Sequence, residues 1–513
     1  MRPSVAGLCL WAALTAGVCE STPIFDMKQE VQGVLGRIGQ EAGSGMGSDG
    51  GVRPEVDSEQ LQALITEENL RAREEKLLAI AETSNSTFGH PTRVIGSKGH
   101  WKTIGYIKRE LRRLGGYYKV RVQPFKAFYG EVFSCNATVN GTFLQTVGPM
   151  DMSPPTESGK PAEGRLVAAQ GFGCDPSDFP SDVSGAVVLV RRGNCSFGTK
   201  SALSGKVGAR AAIVYNNEDG PVRGTLGTPD KSQPYVPTVA ISRAEGERLV
   251  ALLGKGEVLE ASVAVDSFVG IVHTANVIAE TRQGDPDNVV MLGAHSDSVA
   301  AGPGINDDGS GTVSLLEVAR QLAKFKINNR VRFAWWAAEE EGLLGSNFYA
   351  ETLRPDENSR IRLFMDYDMM ASPNYEYEVY DAKNAENPNG SQQLRDLYID
   401  YYEQHGLNYT LIPFDGRSDY VGFIEHHIPA GGIATGAEKK NVFNGRVLDR
   451  CYHQRCDDLS NLAYDAFLVN TRLIAHSVAT YAKSFDGFPD REPLPSVKAE
   501  SSGFKYRGGK MVM

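Results

Sequence analysis

Three short apolar runs, each followed by acidic or histidine residues, constrain the fold of this chain more than any other feature: Val289-Val-Met-Leu292, the segment from Val331 to Trp336, and Ile361-Arg-Leu-Phe364. In the second run Val331, Phe333 and Trp335 alternate with Arg332, Ala334 and Trp336, and short runs of either kind read as strands. Between the first two, Gly309 and Gly311 punctuate the entry to a stretch with apolar residues at Leu315, Ala319 and Leu322, and Leu316 and Ala323 beside them, which is helical spacing. Strands alternating with helices predict an α/β fold on a mostly parallel sheet covered on both faces. Ligands then belong at the carboxyl ends of the strands.

The polar clusters fall at those ends. His295 lies in Gly293-Ala-His-Ser-Asp297, Glu339 and Glu340 in Ala338-Glu-Glu-Glu-Gly342, and Asp368 just beyond the third run. Gly304-Ile-Asn-Asp-Asp-Gly309 adds Asp307, and Cys451-Tyr-His-Gln-Arg-Cys456 adds His453. Taken singly, a His-x-Asp is more often a satisfied core or surface histidine, and paired glutamates are more often a solvated face. Together His295, Asp307, Glu340, Asp368 and His453 supply the nitrogen and oxygen donors for two zinc ions, each with a position left open for water.

These clusters, with Phe333 to Ser346 (FAWWAAEEEGLLGS), Tyr367 to Asn374 (YDMMASPN), Gly416 to Tyr420 (GRSDY) and Pro429 to Glu438 (PAGGIATGAE), resemble the co-catalytic zinc aminopeptidases of metallopeptidase family 28 over most of the chain after about Val56. The resemblance implies the zinc exopeptidase fold, a mostly parallel mixed sheet flanked by helices. It also implies roles: Asp307 bridging two zinc ions, His295 and Asp368 completing one site, Glu340 and His453 the other, and Glu339 acting as general base. Neighbouring side chains leaving an extended segment point in opposite directions, which is expected to separate Glu339 from Glu340. Asp297 is expected to orient His295, the simpler alternative being a turn cap. Tyr452 matches the family's oxyanion-stabilising tyrosine, the alternative being loop packing. Arg417 matches an arginine that holds the substrate terminus or the transition state in some relatives, the alternative being a solvated side chain. The cationic α-amine of a peptide needs nearby carboxylates, for which Glu339 and Asp368 are the candidates.

The implied reaction is release of N-terminal residues, neutral or hydrophobic and Leu-like, from peptides with a free N-terminus. A zinc carboxypeptidase of the same fold keeps the same ligands, so they do not separate the two readings. A glutaminyl cyclase uses a single zinc, against which Asp307 and both histidines argue. A receptor-like protein built from an inactive peptidase is expected to have lost ligands or base, whereas each position here holds a competent residue.

From about Thr142 to Ala264 the chain changes character. Ala186-Val-Val-Leu-Val190, Lys200 to Gly208 and Ala211-Ala-Ile-Val-Tyr215 read as strand, helix and strand without a metal-ligand pattern. This segment resembles the β-rich protease-associated domain, either a spacer or a lid that restricts substrates. The expected division is a signal at 1–19, a low-complexity or propeptide segment at 20–55, peptidase segments at 56–141 and 265–490 around an insert at 142–264, and a flexible tail at 491–513.

Arg2 precedes an uncharged stretch from Val5 to Val18, which reads as a cleavable secretory signal. Secretion, or delivery to a vacuole or lysosome-like compartment, fits the six Asn-x-Ser/Thr sequons at Asn85, Asn136, Asn140, Asn194, Asn389 and Asn408. Of seven cysteines, Cys451 and Cys456 flank His453, where a disulfide would stiffen the loop and a zinc site is the competing reading. Cys174 and Cys195 form a candidate second pair, and Cys135 is unassigned. The net charge of −10 and the lack of a basic stripe argue against nucleic acid. No membrane partner is expected, and a monomer is.

Overall fold

The computed structural model describes residues 53–493 apart from 221, 223, 228 and 229. The expected signal, most of the low-complexity segment and most of the tail lie outside the described residues.

The first described helices are α1 (Ser58–Ala63) and α2 (Glu67–Ala81). The break is local chemistry: the Asp57 carboxylate accepts from Gln60 N and the Thr66 hydroxyl from Asn69 N, so each helix has its own N-cap. Helix α3 (Lys98–Arg112), capped by Ser97, leads into β1 (Tyr118–Val139). The insert then runs through β2 (Gly148–Asp151), β3 (Ala162–Ala168), β4 (Val187–Arg191), α4 (Phe197–Lys206), β5 (Ala211–Tyr215), β6 (Thr238–Ile241) and α5 (Arg243–Gly254). Strand β7 (Glu260–Thr281) returns antiparallel to β1 along almost its whole length. There follow β8 (Asp285–His295), α6 (Gly311–Leu322), β9 (Asn329–Trp336), β10 (Ile361–Tyr367), β11 (Tyr377–Tyr380), α7 (Ser391–Gln404), β12 (Tyr409–Ile412), β13 (Ala430–Ala434) and α8 (Tyr464–Lys483).

The strands order as β12-β11-β13-β10-β8-β9-β7-β3-β4-β5-β6-β2. Pairs β10/β8, β8/β9, β10/β13 and β11/β12 are parallel, while β7/β9 and β11/β13 are antiparallel. This is a mixed, mostly parallel α/β sheet in which α3, α6 and α8 pack on β7, β8 and β9. In the insert, β3 through β6 are also parallel, and Val187, Leu189, Ile213 and Val239 lie in its own apolar core.

Burial in β9 departs from the alternation in its sequence. Every residue from Val331 to Trp336 is buried, because helices cover both faces of this central strand. Arg332 is accommodated there by Glu280 and by the Tyr349 hydroxyl at 2.6 Å, and Trp335 donates Nε1–H to Thr312 O at 3.1 Å. Helix α6 approaches β10 so closely that a Cβ on Gly311 would sit 2.1 Å from Tyr367 O.

Candidate functional site

The parallel register sets three strand ends side by side. His295, the last residue of β8, lies opposite Trp336, the last of β9. Asp368 follows the last residue of β10, which flanks β8 on its other side. Asp307 comes from the turn before α6, and His453 from the loop closed by the Cys451–Cys456 disulfide.

Asp307 stands between the two histidines. Its Oδ1 is 3.1 Å from His295 Nε2 and its Oδ2 3.1 Å from His453 Nε2. Glu340 Oε2 is 3.0 Å from the same His453 nitrogen, and Asp368 Oδ1 is 3.7 Å from His295 Nε2. Donors bound tetrahedrally to one zinc at ~2.0 Å lie about 3.3 Å from one another, so these spacings suit two ions sharing Asp307. Asp368 Oδ1 is buried without a hydrogen-bond partner, an orphan that a cation would satisfy. Burial pushes the carboxyls of Glu339 and Glu340 upward against the pull of the histidines. Asp307, despite its burial, is held below its ordinary value by hydrogen bonds from His295 and His453.

The residues of this cluster are set by their loops. Ala338, Leu343, Met369 and His453 all have positive φ, between 58° and 61°. Left-handed backbone at four non-glycine residues costs about 1–3 kcal/mol each and persists only where the surroundings hold it. Glu339 and Glu340 do not leave an extended segment: Gly342 N and Leu343 N both donate to Glu339 O, so the pair sits in a turn. Asp297 serves that turn, its two oxygens each lying 3.4 Å from the N–H groups of Glu339 and Glu340. Its approach to His295 Nδ1, at 3.6 Å, is longer than a hydrogen bond. Asp297 thus faces both the turn and the imidazole of His295, so the capping and the orienting readings are compatible.

Tyr452 stacks on His453, with ring centroids 3.8 Å apart, and accepts a hydrogen bond from Arg417 at 3.1 Å. Burial, reinforced by Asp307, raises the Tyr452 phenol well above its ordinary value, so it stays protonated. Arg417 is paired rather than solvated, holding both oxygens of Glu438 at 2.8 and 3.1 Å. One pocket is lined by Asp307, Glu339, Glu340, Asp368, Tyr452, His453 and Arg417 together. The loops around Arg417 and Asp368 also contribute Asp415, Ser418 and Met369. Ala434, Gly436 and Ala437, from the segment 429–438, also line it, and Glu378, Tyr380, Ile412 and Lys439, to which no sequence pattern pointed, complete it.

The supporting shell was likewise missed. Asp308 accepts from His295 N at 3.0 Å, Gly311 N at 2.9 Å and Met369 N at 3.1 Å, tying three ligand-bearing segments together. It also lies near His295 and Asp368 as a possible donor, but its oxygens are committed to these backbone groups. Asp457 accepts from Asn306 N and Asp307 N. Ser418 donates to Asp368 Oδ2. Buried Arg93 donates to the carbonyls of Pro303, Ser296 and Gly304, anchoring the loop between two ligands. The only sequence signal for Asp308 and Asp457 is adjacency to ligand motifs. Outside the pocket, His426 bonds the Gly422 carbonyl, Cys174 pairs with Cys195 and Cys135 is free.

The chain is similar to known proteins over most of its length. The profile of peptidase family M28 matches residues 276–478 and that of the PA domain residues 162–249. Aminopeptidase Y of Saccharomyces cerevisiae is 54% identical, over 90% of this chain and 88% of that protein. Leucine aminopeptidase 2 of Arthroderma otae is 40% identical, over 89% and 92%. The solved structure of an aminopeptidase from Aneurinibacillus sp. strain AM-1 superposes with a TM-score of 0.68 at 27% identity, covering 86% of this chain and 99% of that one.

Proposed function

The chain belongs to peptidase family M28 as a zinc-dependent aminopeptidase with an inserted PA domain, and we propose that it releases neutral or hydrophobic, Leu-like residues from peptides with a free N-terminus, using Glu339 as base and Tyr452 as oxyanion donor. The observation that carries this reading is Asp307, whose two oxygens each face a different histidine at 3.1 Å. His295 and Asp368 would hold one zinc and Glu340 and His453 the other, with Asp307 facing both sites. Bound there, the two ions supply Lewis acidity that activates a water and polarises the scissile carbonyl.

The protein's own groups do the rest. Glu339, buried at the pocket wall with a raised pKa, takes the proton of the attacking water and delivers it to the departing amine. The Tyr452 phenol donates to the oxygen of the tetrahedral species, and Arg417, fixed by Glu438, keeps it aimed. The carboxylates of Glu339 and Asp368 attract the α-ammonium of the substrate. Met369, Tyr380 and Ile412 offer apolar surface to its side chain.

The peptidase domain comprises 56–141 and 265–490, interrupted by the insert at 142–264. The enzyme acts as a monomer, secreted or in a vacuole-like compartment. Support comes from the signal-like start, from two disulfides and from six sequon asparagines that are all at least partly exposed. No helix among the described residues is long and apolar enough to cross a membrane.

Hydrolysis of Leu-p-nitroanilide beside its N-acetylated analogue tests the proposal. Cleavage of the free-amine substrate alone, abolished by chelation and restored by zinc, is expected. No cleavage across a panel of free N-termini with zinc bound would overturn it.

A further inference from the structure

Glu378 is an anomaly of patterning. It lies in the middle of β11, 6% exposed, at a position where an ionisable group is costly without a partner. No hydrogen bond or ion pair from another described side chain reaches its carboxylate. Glu378 and Tyr380, two residues apart on one face of the strand, both line the pocket that holds the metal-ligand cluster.

The sheet register locates it. Glu378 lies opposite Ala434 on β13, and Ile433 lies opposite Tyr367 on β10, so Ala434 stands between Glu378 and Asp368. Two strand spacings put their backbones about 10 Å apart. A substrate whose α-amine is held at Asp368 and Glu339 would extend its first side chain past Met369 and Ala434 toward Glu378.

We propose, resting on the aminopeptidase reading above, that Glu378 is a specificity-determining residue whose carboxylate meets the far end of the first residue's side chain, favouring basic residues when ionised and uncharged ones when protonated. The four-carbon stem of lysine fits the apolar lining while its ammonium reaches the carboxylate. A leucine fills the same lining without reaching it.

The groups around Glu378 place its ionisation within the working range. Burial, helped by Glu376 and Asp415 against the pull of Lys439 and Arg417, pushes its carboxyl up to about 7. Arg417 is engaged by Glu438 and Tyr452, and Lys439 Nζ lies 3.9 Å from Asp415. On β12 the facing residue is Thr410, whose hydroxyl is given to Glu376. The pocket's choice between substrates then changes between an acidic compartment and a neutral medium.

The test is the ratio of kcat/KM for lysine and leucine p-nitroanilides against pH, in the full chain and in Glu378→Gln. Both substrates carry the same titrating α-amine, which divides out of the ratio, and the lysine side chain stays charged throughout. The ratio is expected to rise about tenfold from about pH 5.5 to about pH 8 in the native enzyme, and to be flat in Glu378→Gln. A flat ratio in the native enzyme, a measurement that needs no variant, would overturn the proposal, as would the same rise in Glu378→Gln. Failure to cleave either substrate with zinc bound would instead overturn the aminopeptidase reading on which it stands.

Discussion

Arg417 donates to the phenol oxygen of Tyr452 at 3.1 Å while two of its nitrogens hold Glu438. The tyrosine that faces the pocket is thus aimed by an arginine that is itself fixed. Tyr452→Phe is expected to lower kcat by about 10²–10³ with KM little changed, the loss typical of one oxyanion donor. Arg417 acts through Tyr452, so Arg417→Met should cost less alone and almost nothing more in a Tyr452→Phe background. A double-mutant cycle on kcat checks this, and additive losses would show that Arg417 touches substrate directly.

Glu339 and Glu340 are adjacent in sequence but differ in task. Glu339→Gln should reduce kcat by about 10²–10⁴ while zinc content, measured by metal analysis after dialysis, stays as in the native enzyme. Asp307→Asn should lose both activity and zinc, because that carboxylate faces both histidines.

Asp308 touches no substrate-facing surface, yet its oxygens satisfy the N–H groups of His295, Gly311 and Met369. Replacement by Ala strands three buried donors at about 1–3 kcal/mol each. Urea unfolding of the zinc-loaded protein is expected to show a loss of more than about 3 kcal/mol, with zinc affinity weakened about 10–100-fold.

His100 is fully buried, 3.1 Å from the Ser296 hydroxyl, and burial lowers its pKa to about 4. Between its unfolded value of about 6.5 and this folded value, the unfolded chain binds a proton that the folded one does not. Its contribution is therefore present above about pH 6.5 and is lost as pH falls toward 4, amounting to about 3 kcal/mol at full titration. His100→Gln should flatten that part of the stability-versus-pH curve, read by urea midpoints at successive pH values. An unchanged slope would remove His100 from the acid response.

Much of the site was legible because metal ligation demands particular atoms. Zinc needs histidine nitrogens and carboxylates, and such residues following apolar runs in an α/β pattern announce themselves one cluster at a time. The structure brings Asp307, Glu339, Glu340, Asp368, Tyr452, His453 and Arg417 into one pocket, with His295 buried behind it against Asp307. The turn at Glu339 was not legible, because what bends it is the Asp297 carboxylate, more than forty residues away in sequence. The burial of Val331 to Trp336 on both faces of β9 was not legible either, since alternation reports one covered face and helices cover both here.

The sequence alone determined the chemistry of the ligand set, the α/β class and the presence of an insert, because donor identity and hydrophobic period are local properties. Which carboxylate clamps backbone, which aims a tyrosine and which stands unpartnered in the pocket wall was decided only by the tertiary structure. Asp308, Glu438 and Glu378 carry the same functional group, and only the neighbours that folding sets around each one assign its role.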